Sequence, residues 1–240
     1  MKGVLKPPRA APGVKSHADI RSQLLDPGVV AILRADSPAH MMNVVAALKE
    51  GGIRAIEVTM TTPNAIGILK EVLQTQGQDI VMGVGTVTNV ERCHAALEGG
   101  AEFIVTPVMK PDVIQLCRQH RRPIICGAYT PTEIHAAWEA GADFIKLFPA
   151  DHGGPAYIKA VKAPLPEIEF IPTGGIDVNN AADFIKVGCA GIGAGSTLVS
   201  KKAIEEQDWN GLRTLAERFV AVVSRARAEM QAGKTRAPRS

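Results

Sequence analysis

The chain has 240 residues, 46% of them hydrophobic and 4% aromatic, with a formal net charge of +3. That is enough apolar sequence for a sizeable aliphatic core, no apolar run approaches the ~20 residues of a membrane-spanning helix, and no basic stripe interleaved with aromatics marks a nucleic-acid surface. The N-terminus lacks the apolar segment of a signal peptide, and the four cysteines and six histidines show no metal-ligand spacing, so reduced thiols, no metal site and a soluble cytoplasmic protein are expected.

Residues 1–15 are rich in Pro, Lys and Ala without apolar periodicity and read as a disordered lead-in. Ser16 is placed to cap a short helix through Leu25, ended by Asp26-Pro27-Gly28. A unit then repeats: a short apolar strand, a polar or glycine-rich turn, an amphipathic helix, a glycine. Strands are expected at Val29–Arg34, Ile53–Thr59, Ile80–Val84, Phe103–Thr106, Pro123–Cys126, Phe144–Leu147, Glu169–Pro172 and Ala190–Gly193. The helices that follow them open at Asp36-Ser37-Pro38, Thr62-Pro63, Asn89, Pro111, Thr130-Pro131, near Pro155, at Asn179 and near Ser196, where capping side chains or a first-turn proline favour a start. His152 is read as a loop residue. A last helix from about Asn210 to Gln231 carries Leu212, Leu215, Ala216, Phe219 and Val222 on one face, and residues 232–240 read as a basic disordered tail.

Eight strand–helix units in a chain close to the ~250-residue norm predict a (β/α)8 TIM barrel, with a helix before the first strand and a C-terminal helix. The single barrel domain is expected over residues 16–231. A doubly wound open sheet fits less well, because no Gly-x-Gly-x-x-Gly fingerprint opens the first helix.

In such a barrel the chemistry belongs at the C-terminal ends of the strands, and strand alternation sorts the side chains there. Ile145 and Leu147 fit the helix-facing side, so Lys146 points inward. By the same parity Ala55, Glu57 and Thr59 point inward in the second strand, and Arg34 at the end of the first. Arg34, Glu57 and Lys146 are thus expected to share one cavity. Burial disfavours the ammonium and lowers its pKa, and a neutral lysine is a nucleophile that forms a Schiff base with a carbonyl. Two blander readings stand beside this one: Glu57 neutralises Lys146 in a structural pair, and Arg34 is a solvated rim residue.

Glycine-rich segments form a second constellation. Pro172-Thr173-Gly174-Gly175-Ile176 follows the seventh strand, and Gly193-Ala194-Gly195-Ser196 the eighth. Barrels often hold a phosphate between these two loops, because glycine lets backbone N–H groups approach an anion. Tight turns alone would also explain the glycines. Gly83-Val84-Gly85-Thr86 adds polar lining after the third strand.

These strings, taken in order, resemble the class I aldolases of the 2-keto-3-deoxy-6-phosphogluconate and 4-hydroxy-2-oxoglutarate type. The resemblance runs from about Val29 to Val199. It is carried by Ala31-Ile32-Leu33-Arg34-Ala35, Ile56-Glu57-Val58-Thr59, Gly83-Val84-Gly85-Thr86-Val87, Phe103-Ile104-Val105-Thr106-Pro107, Ile145-Lys146-Leu147-Phe148-Pro149-Ala150, Pro172-Thr173-Gly174-Gly175 and Gly195-Ser196. It implies that Lys146 is the Schiff-base lysine, Glu57 the acid/base residue and Thr86 the threonine beside the keto-acid carboxylate. Pro107 and Phe148 would be pocket walls, and Thr173, Gly174, Gly175, Gly195 and Ser196 the phosphate-binding residues. Some members carry an arginine four residues after the glutamate. Thr61 stands there in this chain and is expected, with Arg34, among the substrate-binding residues; the anion-binding work then falls to Arg34, and the preferred substrate stays open.

The resemblance further implies a homotrimer, no metal and no cofactor beyond the covalent lysine adduct. The expected reaction is reversible cleavage of a 2-keto-4-hydroxy acid, phosphorylated or not, to pyruvate and an aldehyde (glyceraldehyde 3-phosphate or glyoxylate). Two other readings use the same glycine loops: a phosphate-binding isomerase or epimerase without a covalent lysine, and a non-catalytic barrel that binds a phosphometabolite.

Overall fold

The computed structural model describes residues 15–35, 39–76 and 79–236. Among them the order is α1 (His17–Leu25), β1 (Val29–Leu33), α2 (Met41–Glu50), β2 (Ala55–Thr59), α3 (Ala65–Thr75), β3 (Val81–Gly85), α4 (Val90–Glu98), β4 (Phe103–Val105), α5 (Pro111–Gln119), β5 (Ile124–Ala128), α6 (Pro131–Glu139), β6 (Phe144–Leu147), α7 (Ala150–Lys162), α8 (Ala181–Lys186), β7 (Ile192–Ala194), α9 (Lys201–Glu205) and α10 (Trp209–Arg236). Seven of the eight expected strands and most helices fall within a few residues of where periodicity and capping place them. Ser16 and Asp19 form a capping box at α1, and Thr130 and Glu133 another at α6.

The strands form one parallel sheet, in the order β6-β5-β4-β3-β2-β1-β7. The two edges approach a common segment, residues 169–173. Ile171 N–H and Thr173 N–H donate to Ile145 and Leu147 carbonyls of β6, while Gly193 N–H of β7 donates to Pro172 O at 2.8 Å. The expected seventh strand is therefore reduced to two isolated bridges, Ile145 with Phe170 and Thr173 with Gly193. Pro172 has no N–H to give, which interrupts a regular ladder there.

Two apolar layers follow from strand alternation. Ile56, Val58, Ile145 and Leu147 face the helices in the larger one. Val30, Val81, Phe103, Ile125, Phe144 and Ile171 fill the concave side of the sheet, and α1 adds Ile20 and Leu24 from below. Both α1 residues are fully buried, and each contributes roughly 1.5–3 kcal/mol of apolar burial. Polar contacts clasp the same helix: His17 Nε2 lies 2.8 Å from Asp143 Oδ1, and Arg21 forms an ion pair with Glu169. The N-terminal ends of the strands are thus covered, which leaves the C-terminal ends for a site.

Several expectations change. Lys15 is not part of a lead-in: its ammonium pairs with Glu102 at 3.1 Å, while residues 1–14 lie outside the described residues. The start expected at Asp36-Ser37-Pro38 also falls outside them, and α2 is described from Met41. Helix α3 starts at Ala65 rather than at Pro63, after Asn64 in the left-handed region (φ 56°). Helix α7 begins at Ala150, so His152 is helical; a break at Gly154 (φ 63°, ψ −172°) precedes the expected start at Pro155. No helix begins at Ser196. Residues 195–199 close one turn on the Gly195 carbonyl, and Ser200 caps α9 instead. The tail expected to be disordered from residue 232 is helical through Arg236, since no proline interrupts the sequence before Pro238; residues 237–240 lie outside the described residues.

Candidate active site

Glu57 lies near the end of β2 and Lys146 near the end of β6, both on the concave face above the apolar layer. They are 2% and 7% exposed, the two buried charged residues among the described residues. Neither makes an ion pair or a side-chain hydrogen bond with another described residue. Burial therefore penalises the charged form of each, offset only in part by the attraction between the two charges.

The consequence is a pair pushed toward neutrality. Burial lowers the pKa of Lys146 below 10.5; Glu57 opposes the shift and Arg34 adds to it. Burial raises the pKa of Glu57 above 4.5, against the attraction of Lys146 and Arg34. Each group's charge thus acts against the shift that burial imposes on the other. An amine with a lowered pKa and a carboxyl with a raised one, held in one buried setting, can act as nucleophile and proton carrier.

The surroundings fix both side chains. Gly127 is the register partner of Lys146, and a Cβ at Gly127 would collide with the Pro107 backbone, so the absent side chain lets the Pro107 loop close against β5. The Lys146 Nζ lies 5.0 Å from the centroid of the Phe148 ring, and that ring is 39% exposed at the rim. Pro107 is half-buried. Across the site, a Cβ at Gly85 would collide with Glu57 Oε1.

Thr86 follows β3 with φ 58°. A β-branched residue in the left-handed region is an outlier, and such strain persists where the surroundings over-determine it. Here the neighbouring Val87 N–H is held by Val105 O and Met60 N–H by Gly85 O. Arg34 lies just past β1, exposed, yet near enough for its charge to act on both Lys146 and Glu57. Thr61 is exposed after β2, its hydroxyl 2.9 Å from that of Thr59.

The two glycine segments meet at the β6–β7 side. Thr173 is buried, and its N–H donates to Leu147 O, next to Lys146, while its carbonyl accepts from Ala150 N–H at 2.9 Å. Gly174 (φ 105°) and Gly175 (φ 67°) take left-handed conformations that a side chain would strain. Thr197 Oγ1 donates to Ile176 O at 2.5 Å, tying the 195–199 turn to this loop. Gly195 is half-buried at the start of that turn and Ser196 is exposed on it.

Thr59 and Thr62 are polar residues at the site that sequence reasoning did not single out; they are 1% and 3% exposed. Alternation places Thr59 inward, but nothing local reveals that three hydroxyls of one loop converge. Among the described residues, no group of three or more His, Cys, Asp or Glu side chains is placed to hold a metal ion, and no helix is long and apolar enough to cross a membrane.

A parallel α/β sheet that presents a buried lysine and glutamate at the C-terminal ends of its strands is the framework of an enzyme that works through an amine–carbonyl adduct. Comparison with known proteins places it among the carbon–carbon lyases. The family model for KDPG and KHG aldolase matches residues 20–215, and the chain belongs to that family. The 2-dehydro-3-deoxy-phosphogluconate aldolase of Treponema pallidum (strain Nichols) is 33% identical over 196 residues, 81% of this chain and 93% of that protein. The 2-dehydro-3-deoxy-6-phosphogalactonate aldolase of Escherichia coli (strain K12) is 36% identical over 171 residues, covering 71% and 83%. A solved KDPG aldolase from Legionella pneumophila, with pyruvate captured at low pH as a covalent carbinolamine intermediate, is similar with a TM-score of 0.75 and 28% identity, covering 80% of this chain and 93% of that one.

Proposed function

We propose that this protein is a Schiff-base aldolase that reversibly cleaves a 2-keto-4-hydroxy acid to pyruvate and an aldehyde. The substrate is 2-keto-3-deoxy-6-phosphogluconate, 4-hydroxy-2-oxoglutarate or both, giving glyceraldehyde 3-phosphate or glyoxylate. The observation that carries this is the pairing of Lys146 and Glu57 in one buried setting that lowers the lysine's pKa and raises the glutamate's. The captured pyruvate adduct of the Legionella relative supports the covalent route.

In this mechanism the neutral Lys146 amine attacks the C2 carbonyl, forming a carbinolamine that loses water to give an iminium. The iminium accepts the electron pair of the breaking C3–C4 bond, so the leaving fragment departs as an aldehyde and pyruvate remains as an enamine. Glu57 moves the protons: it assists dehydration, takes the C4 hydroxyl proton during cleavage, and supports protonation of the enamine at C3. Hydrolysis then frees pyruvate and Lys146.

Thr86 faces the keto-acid carboxylate, with Pro107 and Phe148 as walls and Arg34 as the nearby cation. Thr173, Gly174, Gly175, Gly195 and Ser196 hold the phosphate when the substrate carries one. The segment 169–173, hydrogen-bonded to both β6 and β7, acts as the eighth strand of a closed (β/α)8 barrel that forms one domain over residues 16–231. The chain works in the cytoplasm as a homotrimer without metal or cofactor. Borohydride reduction in the presence of pyruvate tests the central claim: it leaves a stable adduct on Lys146 of the native enzyme and none in Lys146→Ala. An unmodified Lys146 under these conditions would overturn it.

A further inference from the structure

Thr59 sits on the concave face of β2, two residues beyond Glu57, and its register partner is Gly85, the residue that Glu57 Oε1 overlies. It is the hub of three hydroxyls. Thr59 Oγ1 lies 3.3 Å from Thr62 Oγ1 and 2.9 Å from Thr61 Oγ1. The far end is fixed by the backbone: Ala35 N–H donates to Thr62 Oγ1 at 3.2 Å, which pins the chain immediately after Arg34 to the β2 loop.

Each hydroxyl carries one hydrogen and two lone pairs, so either can donate in either contact taken alone. Ala35 N–H takes one lone pair of Thr62 Oγ1, and the buried Thr62 hydrogen has Thr59 Oγ1 as its acceptor in reach among the described residues, so the reverse order would leave that hydrogen unpaired. With an accepted bond at Thr62 Oγ1, the Thr62 hydrogen is available to Thr59 Oγ1. Thr59, buried and having accepted, satisfies its own hydrogen on Thr61 Oγ1. The one hydrogen left over belongs to Thr61, the exposed member of the chain. Bonds in such a series polarise one another in a low-dielectric setting, which strengthens the terminal donor.

We propose that Thr62 and Thr59 are positioning residues that orient the Thr61 hydroxyl as a neutral hydrogen-bond donor to an anionic oxygen of the substrate, beside the Arg34 chain pinned by the same relay. This deepens the aldolase reading and rests on it. The chain thereby recognises the oxygen group with one cation and one preset hydroxyl, which favours acceptors over bulk at that point of the substrate.

The test is a double-mutant cycle on Thr59 and Thr61, with 2-keto-3-deoxy-6-phosphogluconate and 4-hydroxy-2-oxoglutarate as substrates. Thr61→Val is expected to raise KM about fivefold to tenfold with little change in kcat. Thr59→Val, which keeps shape and removes the hub hydroxyl, is expected to do the same although it has no exposed hydroxyl of its own. The double variant is expected to be no worse than Thr61→Val, and Thr59→Ser to restore native KM. A neutral Thr59→Val, an effect on kcat alone, or a double variant whose loss is the product of the two single losses would overturn the relay. If Thr59→Val melts below the assay temperature, Thr59→Cys replaces it in the cycle. Pyruvate and borohydride trapping on the native enzyme separates the two levels: labelled Lys146 with additive losses sinks the relay alone, whereas unlabelled Lys146 removes the aldolase reading and the relay with it.

Discussion

Glu57 Oε1 occupies the space that a side chain at position 85 would take, so a carboxylate of β2 rests on a bare stretch of β3. The relationship couples two strands through the absence of a methyl group. It also explains why a glycine, a weak strand former, ends β3 beside the buried carboxylate.

Gly85→Ala therefore displaces the carboxylate without touching its chemistry. A misplacement of about 1 Å costs on the order of 100-fold in rate, and kcat is expected to fall by that order. Thermal melting is the control: β3 keeps its ladder, so stability should move by no more than about 1–3 kcal/mol, the usual cost of overpacking. Native activity in Gly85→Ala would show that the carboxylate has room to move aside.

Glu57→Gln removes the proposed proton carrier and keeps the shape. The expected loss in kcat is roughly 10²- to 10⁴-fold, the range for general acid–base catalysis, with a much smaller change in KM. Steady-state kinetics settles it. A variant that retained turnover but bound substrate poorly would assign Glu57 to binding instead.

The pH dependence has a sign that follows from the neighbours of Lys146. Burial holds its pKa below 10.5, so the rate of pyruvate trapping should rise with pH through a midpoint below that value. Glu57 favours the ammonium, so neutralising it in Glu57→Gln should move the midpoint lower still. Arg34 disfavours the ammonium, so Arg34→Leu should move it higher. Trapping rates measured across the pH range check both directions.

Ser196→Ala tests the glycine-loop subsite. A hydrogen bond to a charged group contributes about 1.5–3 kcal/mol, so KM for the phosphorylated substrate is expected to rise at least about tenfold. The non-phosphorylated substrate should be unaffected. Equal kinetics of the two substrates in the native enzyme would remove the phosphate assignment altogether.

Much of this molecule was legible before any coordinates. Alternation alone placed Glu57 and Lys146 on the concave face, because a strand's period of two ties each side chain to its neighbours whatever the rest of the chain does. The same rule assigned Ile145 and Leu147 to the helix side, where they pack. Ser16 and Thr130 announced their helices through capping chemistry that is complete within four residues. Elements failed where the decision was not local: Pro172 broke a ladder that its apolar neighbours favoured, and the chain after Ser196 closes a single turn on Gly195 O before Ser200 caps the next helix.

Sequence thus determined the residue types, their face and the order of the units, since these depend on side-chain period and short-range hydrogen bonding. Tertiary structure alone decided what those residues experience. The depth that shifts Lys146 and Glu57 in opposite directions, the seat of Glu57 over Gly85 and the meeting of Thr59, Thr61 and Thr62 all arise from strands and loops that come together in space, and desolvation and hydrogen-bond geometry are properties of that assembly rather than of any one stretch of chain.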